Sequence, residues 1–562
     1  MRHLKWMKAA ASTAVFACLF AGTVFAADSA DLSSCVVDGN QIKITGTAVH
    51  TEDEGQETQG EAGQKTETAD DGKYYLFDLM PYETSLEGRS DYLAAADKTE
   101  SLSFALPFDK NQNEDPLFAR YVVAVNRGGV YEPVSNEAYV TNPEVTSDYQ
   151  EPFPEAQTKK GLNIELSMLD DAMSLGVKHT AINISVREFL DPNGALTYDY
   201  NGKTYRFNKS RVEEYDKTIR MFSNKGIIIT GIILNGWNTS HPELLYPGVK
   251  ETGTSQYYMF NTSTPDGFET CRAVMAFLAE RYNGSDPNYG QVSNWIIGNE
   301  INNQEIWNYT GPMPLEEYVA VYERMFRVMY AAIRSENANA RVYFSTDYNW
   351  VQENKTLSYG ARDLIDCFSS QIKKGGQIDW NLAYHPYPVN LQEPEFWLEN
   401  EKVTDSVDSK VVNFKNLHVL TDYFQRPELL NSAGQVRHII LSEQGFTSQS
   451  PTRGNVEKEQ AAAFAYAYFL VDSNPYIDSF ILSRQVDNPH EASLSMAFGL
   501  WTANPNSPAN AAPVGFDRKR IYPIFKIIDS RKAVEETEDL KAVIGINKWS
   551  DVVPNFRWGT NN

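Results

Sequence analysis

Beyond residue 158, eight short apolar segments alternate with eight helix-length amphipathic ones; before it run short strand-like segments broken by Gly, Asn and Pro. These observations predict an α/β chain, a (β/α)8 TIM barrel preceded by a small all-β, sandwich-like region. Parallel strands need crossover connections, usually helices, so strict alternation points to a parallel sheet. Composition agrees. Of 562 residues, 42% are hydrophobic and 22% charged, which excludes a disordered chain, a collagen repeat and a small disulfide-stapled scaffold.

Taken in order, residues 1–26 read as a secretory signal peptide. Arg2, Lys5 and Lys8 precede an apolar run over 9–25, and Val24-Phe25-Ala26 offers small residues for cleavage. The run is marginal for a bilayer span, which takes about 20 residues, and no later segment reaches that length, so no stable membrane insertion is expected and the mature chain should be secreted or extracellular. A lipid anchor on Cys18 or Cys35 fits less well. Residues 27–142 are β-patterned: 41–46 alternates, 74–79 is aromatic-rich and 120–125 reads as a buried strand. Within them, 51–72 is an acidic loop of Glu, Asp, Gly, Gln and Thr that lacks the apolar surface to order itself. Residues 143–157, with Pro143, Pro152 and Pro154, read as a linker, and 158–562 as the barrel with a C-terminal extension.

Barrel strands are expected near 159–163, 179–186, 227–234, 292–298, 341–345, 378–384, 436–441 and 477–482. Helices are expected over 164–175, 211–224, 267–282, 315–334, 361–373, 413–424, 457–471 and 521–529. A hairpin (196–200 and 204–207) follows the second strand around Asn201-Gly202. The first strand carries the weakest signal.

Charge narrows the partners. Asp plus Glu number 74 against 50 for Lys plus Arg, a net −24. An acidic chain repels a phosphate backbone, so nucleic acid is not expected. Cys35, Cys271 and Cys367, three distant cysteines, do not make a disulfide framework, and no CxxC, HExxH or close His pair suggests a metal; no cofactor is expected. Oligomeric state leaves no mark on the sequence.

Active sites of this fold lie at the carboxyl ends of the strands. There the fourth strand delivers Trp295-Ile296-Ile297-Gly298-Asn299-Glu300 and the seventh Ile439-Ile440-Leu441-Ser442-Glu443-Gln444-Gly445. Each places a glutamate where a buried strand meets a loop, a setting that tunes a carboxyl pKa. Strands three apart in a ring of eight bring the two face to face. Opposed carboxyls, one protonated and one ionised, are what glycosidic cleavage needs.

These residues carry a resemblance. Asn299-Glu300 resembles the strand-four motif of the retaining glycoside hydrolases of clan A. Ser442-Glu443-Gln444-Gly445-Phe446 is similar to their strand-seven nucleophile motif. His385-Pro386-Tyr387, after strand six, resembles the His-x-Tyr of the cellulase-like members. The likeness covers roughly 158–535. The whole chain also resembles an uncharacterised bacterial secreted family of unknown function. The first resemblance implies an O-glycosyl hydrolase with an oligo- or polysaccharide substrate. Glu300 would be acid and then base, Glu443 the nucleophile, and Asn299 the ligand of the sugar 2-hydroxyl. Tyr387 would hold Glu443. Arg187 either steadies Glu443 or makes a surface ion pair, and His385 either lines the sugar site or packs beside Pro386.

Loop aromatics fit a sugar cleft: Trp237 beside Asn235, Trp307 and Tyr309, Tyr348 and Trp350. Clan members usually end strand eight on a Trp, where this chain has Ser483-Arg484-Gln485-Val486-Asp487. Either Trp501 folds back as the sugar platform or that subsite is built differently; Arg484 either meets an acidic sugar or pairs with Asp487. Two other classes compete with the glycosidase: an inactive barrel serving as a carbohydrate-binding or cell-surface protein, and a metal-dependent deacetylase, against which the missing His/Asp cluster already speaks.

Overall fold

The computed structural model describes residues 28–50, 71–399, 401–507 and 512–558. The expected signal segment, and all but the last two residues of the acidic loop, lie outside them.

Two antiparallel sheets open the chain. One pairs Ser29–Asp38, Gln41–Val49 and Ser101–Pro107; the other orders Ala94–Asp97, Lys73–Leu79, Arg120–Arg127 and Val130–Pro133, with Ala138–Tyr139 also on Arg120–Arg127. Alternation along each strand sends Ile42, Ile44 and Phe104 of one sheet, and Tyr74, Leu76 and Val123 of the other, into a shared apolar cluster. This region meets the barrel away from the mouth. Lys110 Nζ bonds Glu336 Oε1 at 2.6 Å just before strand five, and Tyr139 N–H donates to Gly375 O at 2.8 Å just before strand six. Arg327 lies 4.3 Å over the Tyr139 ring.

The barrel is closed and all-parallel. Its strands, numbered one to eight around the ring, are Lys160–Leu162, His179–Ser185, Ile228–Leu234, Asn294–Ile297, Arg341–Asp347, Trp380–His385, Ile439–Gln444 and Ile477–Leu482. Strand eight closes on strand one through Phe480 opposite Lys160. Period-two alternation turns Ile232, Ile296, Tyr343, Ala383 and Ile440 into the barrel interior, while Ile233, Ile297, Phe344, Leu382 and Leu441 pack outward under the helices. The filled interior is a floor that lifts the strand-end side chains to one face.

Expected and observed boundaries differ in instructive places. Strand seven runs on through Glu443. The helix expected over 413–424 starts as a 3-10 turn, Phe414–Asn416, because the Asn413 side chain accepts the Lys415 N–H; the α-helix is Leu417–Phe424. The helix expected over 164–175 is likewise a 3-10 turn, Leu166–Met168, and a short helix, Leu169–Ser174. Beyond Ile521–Ile527 the chain adds Lys532–Glu536 and Glu538–Ile544, and Trp549 packs on Phe469 of the helix Glu457–Asp472 at 4.9 Å. All three described cysteines are free, with Cys35 and Cys271 buried. No helix among the described residues is long and apolar enough to cross a membrane.

Candidate active site

A cleft of about 430 Å³ opens over the carboxyl ends of the strands, and Glu300 and Glu443 both line it. Glu300 is aimed there by a sharp turn. Gly298 adopts φ +80° and Glu300 itself φ +37°. The left-handed region suits glycine, but costs a residue with a Cβ of order 1 kcal/mol, so something must hold Glu300 in it. The neighbouring strand does so: Glu300 N–H donates to Ser345 Oγ at 2.8 Å and Ile301 N–H to Ser345 O at 2.9 Å. Tyr322 OH fixes the last strand carbonyl, Ile297 O, at 2.6 Å.

His385, fully buried at the end of strand six, stands behind this glutamate. Its Nδ1 is 2.8 Å from Glu300 Oε1 and its Nε2 is 2.9 Å from Ser442 Oγ. A serine hydroxyl both donates and accepts, so Ser442 suits a neutral or a charged imidazole. Burial holds the Glu300 carboxyl above the ordinary range, against the lowering pull of His385. For His385, burial favours the neutral ring, but the bond to Glu300 and the nearby charges of Glu300, Glu443 and Asp347 outweigh it and leave its pKa raised.

Glu443 has a different partner. Tyr387 OH donates to Glu443 Oε1 at 3.0 Å. Burial, and then the Glu443 charge, push the phenol pKa far up, so Tyr387 keeps its proton and remains a donor. The second oxygens, Oε2 of Glu300 and Oε2 of Glu443, have no hydrogen-bond partner among the described residues.

The other sequence-selected residues divide. Asn299, 8% exposed, lines the cleft beside Glu300. Trp307 lines it too. Asn235 is buried next to strand three, and its Nδ2 donates to Leu244 O at 2.9 Å and Met259 O at 3.4 Å. Together with Tyr258 N–H on Asn235 O at 2.8 Å, this clip returns a long loop to the barrel mouth. Trp237 packs on Tyr258 of that loop, with ring centroids 5.3 Å apart. Arg187 sits in the short helix Val186–Phe189, exposed, its stem against Gly236, with no ion pair among the described residues. Trp501 is not among the cleft-lining residues: its Nε1 donates to Asp171 Oδ2 at 3.0 Å, and Arg518 lies 4.8 Å over its ring. Trp350 is wholly buried in the core.

Of the remaining wall residues the sequence singled out Arg484 and missed the others. The clipped loop brings Gln256 and Tyr257 into the lining, with Tyr257 stacked on Trp307 at 6.0 Å and 27°. Across the ring, strands one and eight contribute Asn163, Glu165 and Arg484, and the turn beyond adds Glu491. Arg484 pairs with Glu491 at 2.8 Å, while Asp487, the partner weighed from the sequence, takes Lys519 at 2.6 Å. No cluster of three metal-ligating side chains occurs among the described residues.

Among solved structures, a family 39 glycoside hydrolase from Bacteroides cellulosilyticus WH2 aligns at 12% identity over 83% of this chain and 79% of that one, with a TM-score of 0.43. A family 1 β-glucosidase from Thermotoga maritima, in complex with isofagomine lactam, aligns at 12% over 64% and 85%, with a TM-score of 0.41. A fungal β-1,4-galactanase aligns at 11% over 62% and 96%, with a TM-score of 0.38. Similarity this low leaves the reading of the site to its own geometry. No curated protein matches the chain. A family model described as a family of unknown function, DUF5722, matches residues 152–552, and the chain belongs to that family.

Proposed function

We propose that this protein is a secreted glycoside hydrolase that cleaves O-glycosidic bonds with retention of configuration. The observation that carries the reading is the unequal setting of two strand-end glutamates in one cleft: Glu300 on an imidazole and Glu443 on a phenol. A carboxyl raised by burial and bonded to a proton-exchanging ring suits an acid that later serves as base. A carboxylate steadied by a donor that keeps its proton, with one oxygen free, suits a nucleophile.

The steps balance. Glu443 Oε2 attacks the anomeric carbon as the bond to the leaving oxygen breaks and Glu300 gives that oxygen its proton. A glycosyl ester on Glu443 results. Glu300, now a carboxylate, takes a proton from water, the resulting hydroxide attacks the anomeric carbon, and the ester bond breaks to restore Glu443. Asn299, at the wall beside Glu300, offers a carboxamide to the sugar hydroxyl next to the reacting carbon, a contact that strengthens in the transition state.

The test is hydrolysis of a panel of aryl glycosides by the mature chain, with the first-formed sugar followed by proton NMR. Release of the same anomer as the substrate is expected. Release of the opposite anomer would replace nucleophilic Glu443 by a base acting on water, and saccharide binding without turnover would favour the inactive carbohydrate-binding barrel.

A further inference from the structure

The cleft has two unlike walls. On the strand-three and strand-four side stand Tyr257 and Trp307, stacked on one another. Strand eight is diametrically opposite strand four in the ring, and its side, shared with strand one, is ionic. Arg484 and Glu491 form an ion pair there, with Glu491 fixed by a turn in which Asn488 Oδ1 accepts the Glu491 N–H at 3.2 Å. Gln485 Oε1 accepts the Glu165 N–H at 2.9 Å, so Glu165 is tied to the same wall. The Glu165 carboxyl and Arg484 Nη1 have no hydrogen-bond partner among the described residues. Asn163 Oδ1 and Arg484 Nε are buried and also unpartnered.

Arg484 is the one cationic side chain among the lining residues, and Glu491 already neutralises it. Glu165, Glu443 and Glu491 share the space with it. A carboxylate on a bound sugar would meet three carboxyls in a partly dry site against a single guanidinium already paired with Glu491, a net repulsion by Coulomb's law at low dielectric. A hydroxyl meets no such penalty: it donates to a carboxylate and accepts from a guanidinium. We infer that the cleft takes an uncharged sugar, and that Glu165 with the Arg484–Glu491 pair is the specificity-determining wall that reads its hydroxyls and turns away a uronic acid. This rests on the glycosidase reading, because it assumes a saccharide in the cleft.

Binding, rather than turnover, separates the two ideas. Saturation-transfer NMR on the mature chain with the methyl β-glycosides of glucose, galactose, mannose and xylose, against those of glucuronic and galacturonic acid, is the experiment. At least one neutral glycoside is expected to bind, and to bind at least about tenfold more tightly than its uronide, the size of one poorly screened charge contact. Glu491→Gln keeps the volume and releases the guanidinium, so the neutral-to-uronide ratio should fall by about tenfold, while Glu491→Asp, which keeps the charge, should largely retain it. Uronides bound more tightly than neutral sugars by the wild type, or a ratio unmoved by Glu491→Gln, would overturn the inference and leave the glycosidase reading standing. Binding of no saccharide at all would remove both.

Discussion

Glu300 and Glu443 are the same residue type, at equivalent ends of two barrel strands, in one cleft, yet their neighbours differ in kind. Glu300 bonds an imidazole, which exchanges protons near neutral pH, and is bent into a left-handed turn pinned by Ser345. Glu443 bonds a phenol that stays protonated, and it lies within the last residues of strand seven, where the pairing with strand eight shifts register between Leu441 and Gln444. On the proposed reading, the difference teaches that a division of labour between paired carboxyls is set one layer behind them. Strand six supplies both neighbours: His385 and Tyr387, two residues apart, reach opposite carboxyls.

Substitutions sharpen the contrast in descending order. Glu443→Gln should cost the most, at least about 10⁴-fold in kcat on any aryl glycoside the chain turns over, because in the proposed mechanism no covalent ester forms without it. Glu300→Gln should cost about 10²–10⁴-fold on substrates with poor leaving groups and much less on good ones; equal losses on both would break the assignment of acid. The same variant removes the bond and charge of Glu300, the largest of the contributions that lift His385, while Glu443 and Asp347 remain, so NMR titration should show the His385 pKa falling; an unchanged value would mean the 2.8 Å contact carries no proton coupling.

Tyr387→Phe removes one hydrogen bond to a charged group, worth about 1.5–3 kcal/mol, so kcat/KM should drop by roughly 10- to 100-fold with the fold intact by circular dichroism. His385→Gln should do least to rate, under about tenfold, but should move the pH profile. His385 lowers the Glu300 pKa, so its removal lets burial raise that pKa further, and the alkaline limb of kcat/KM should shift to higher pH. A downward shift would contradict the burial argument.

How much of this was legible in the sequence varies with distance along the chain. The ring of eight, with strands four and seven ending on glutamates, was readable because apolar strands and amphipathic helices carry strong periodic signals. Even Lys160–Leu162 was located, although three residues are too few to show a period. The walls were readable only in part: Asn299, Trp307 and Arg484 stood out in the sequence and line the cleft, but their neighbours did not. Tyr257 reaches the mouth only because Asn235 clips a long loop back to strand three, a contact between residues far apart in sequence. Arg484 and Glu491 meet seven residues apart, whereas Asp487, the partner weighed from the sequence, is taken by Lys519 from 32 residues away. Of the two readings of strand eight, Trp501 as platform or a subsite built differently, the second fits better: Asp171 and Arg518 hold Trp501, which is not among the cleft-lining residues. Asn235, chosen as a ligand of sugar, donates its Nδ2 hydrogens to backbone carbonyls and leaves only a buried Oδ1 without a partner among the described residues.

The most direct measurement is to inactivate the mature chain with a 2-deoxy-2-fluoro glycoside of a sugar it hydrolyses, and to map the labelled peptide by mass spectrometry. One fluoroglycosyl group on Glu443, released by water or an acceptor sugar with return of activity, is expected. A label on any other carboxylate, with Glu443 unmodified in an inactivated enzyme, would contradict its role as nucleophile.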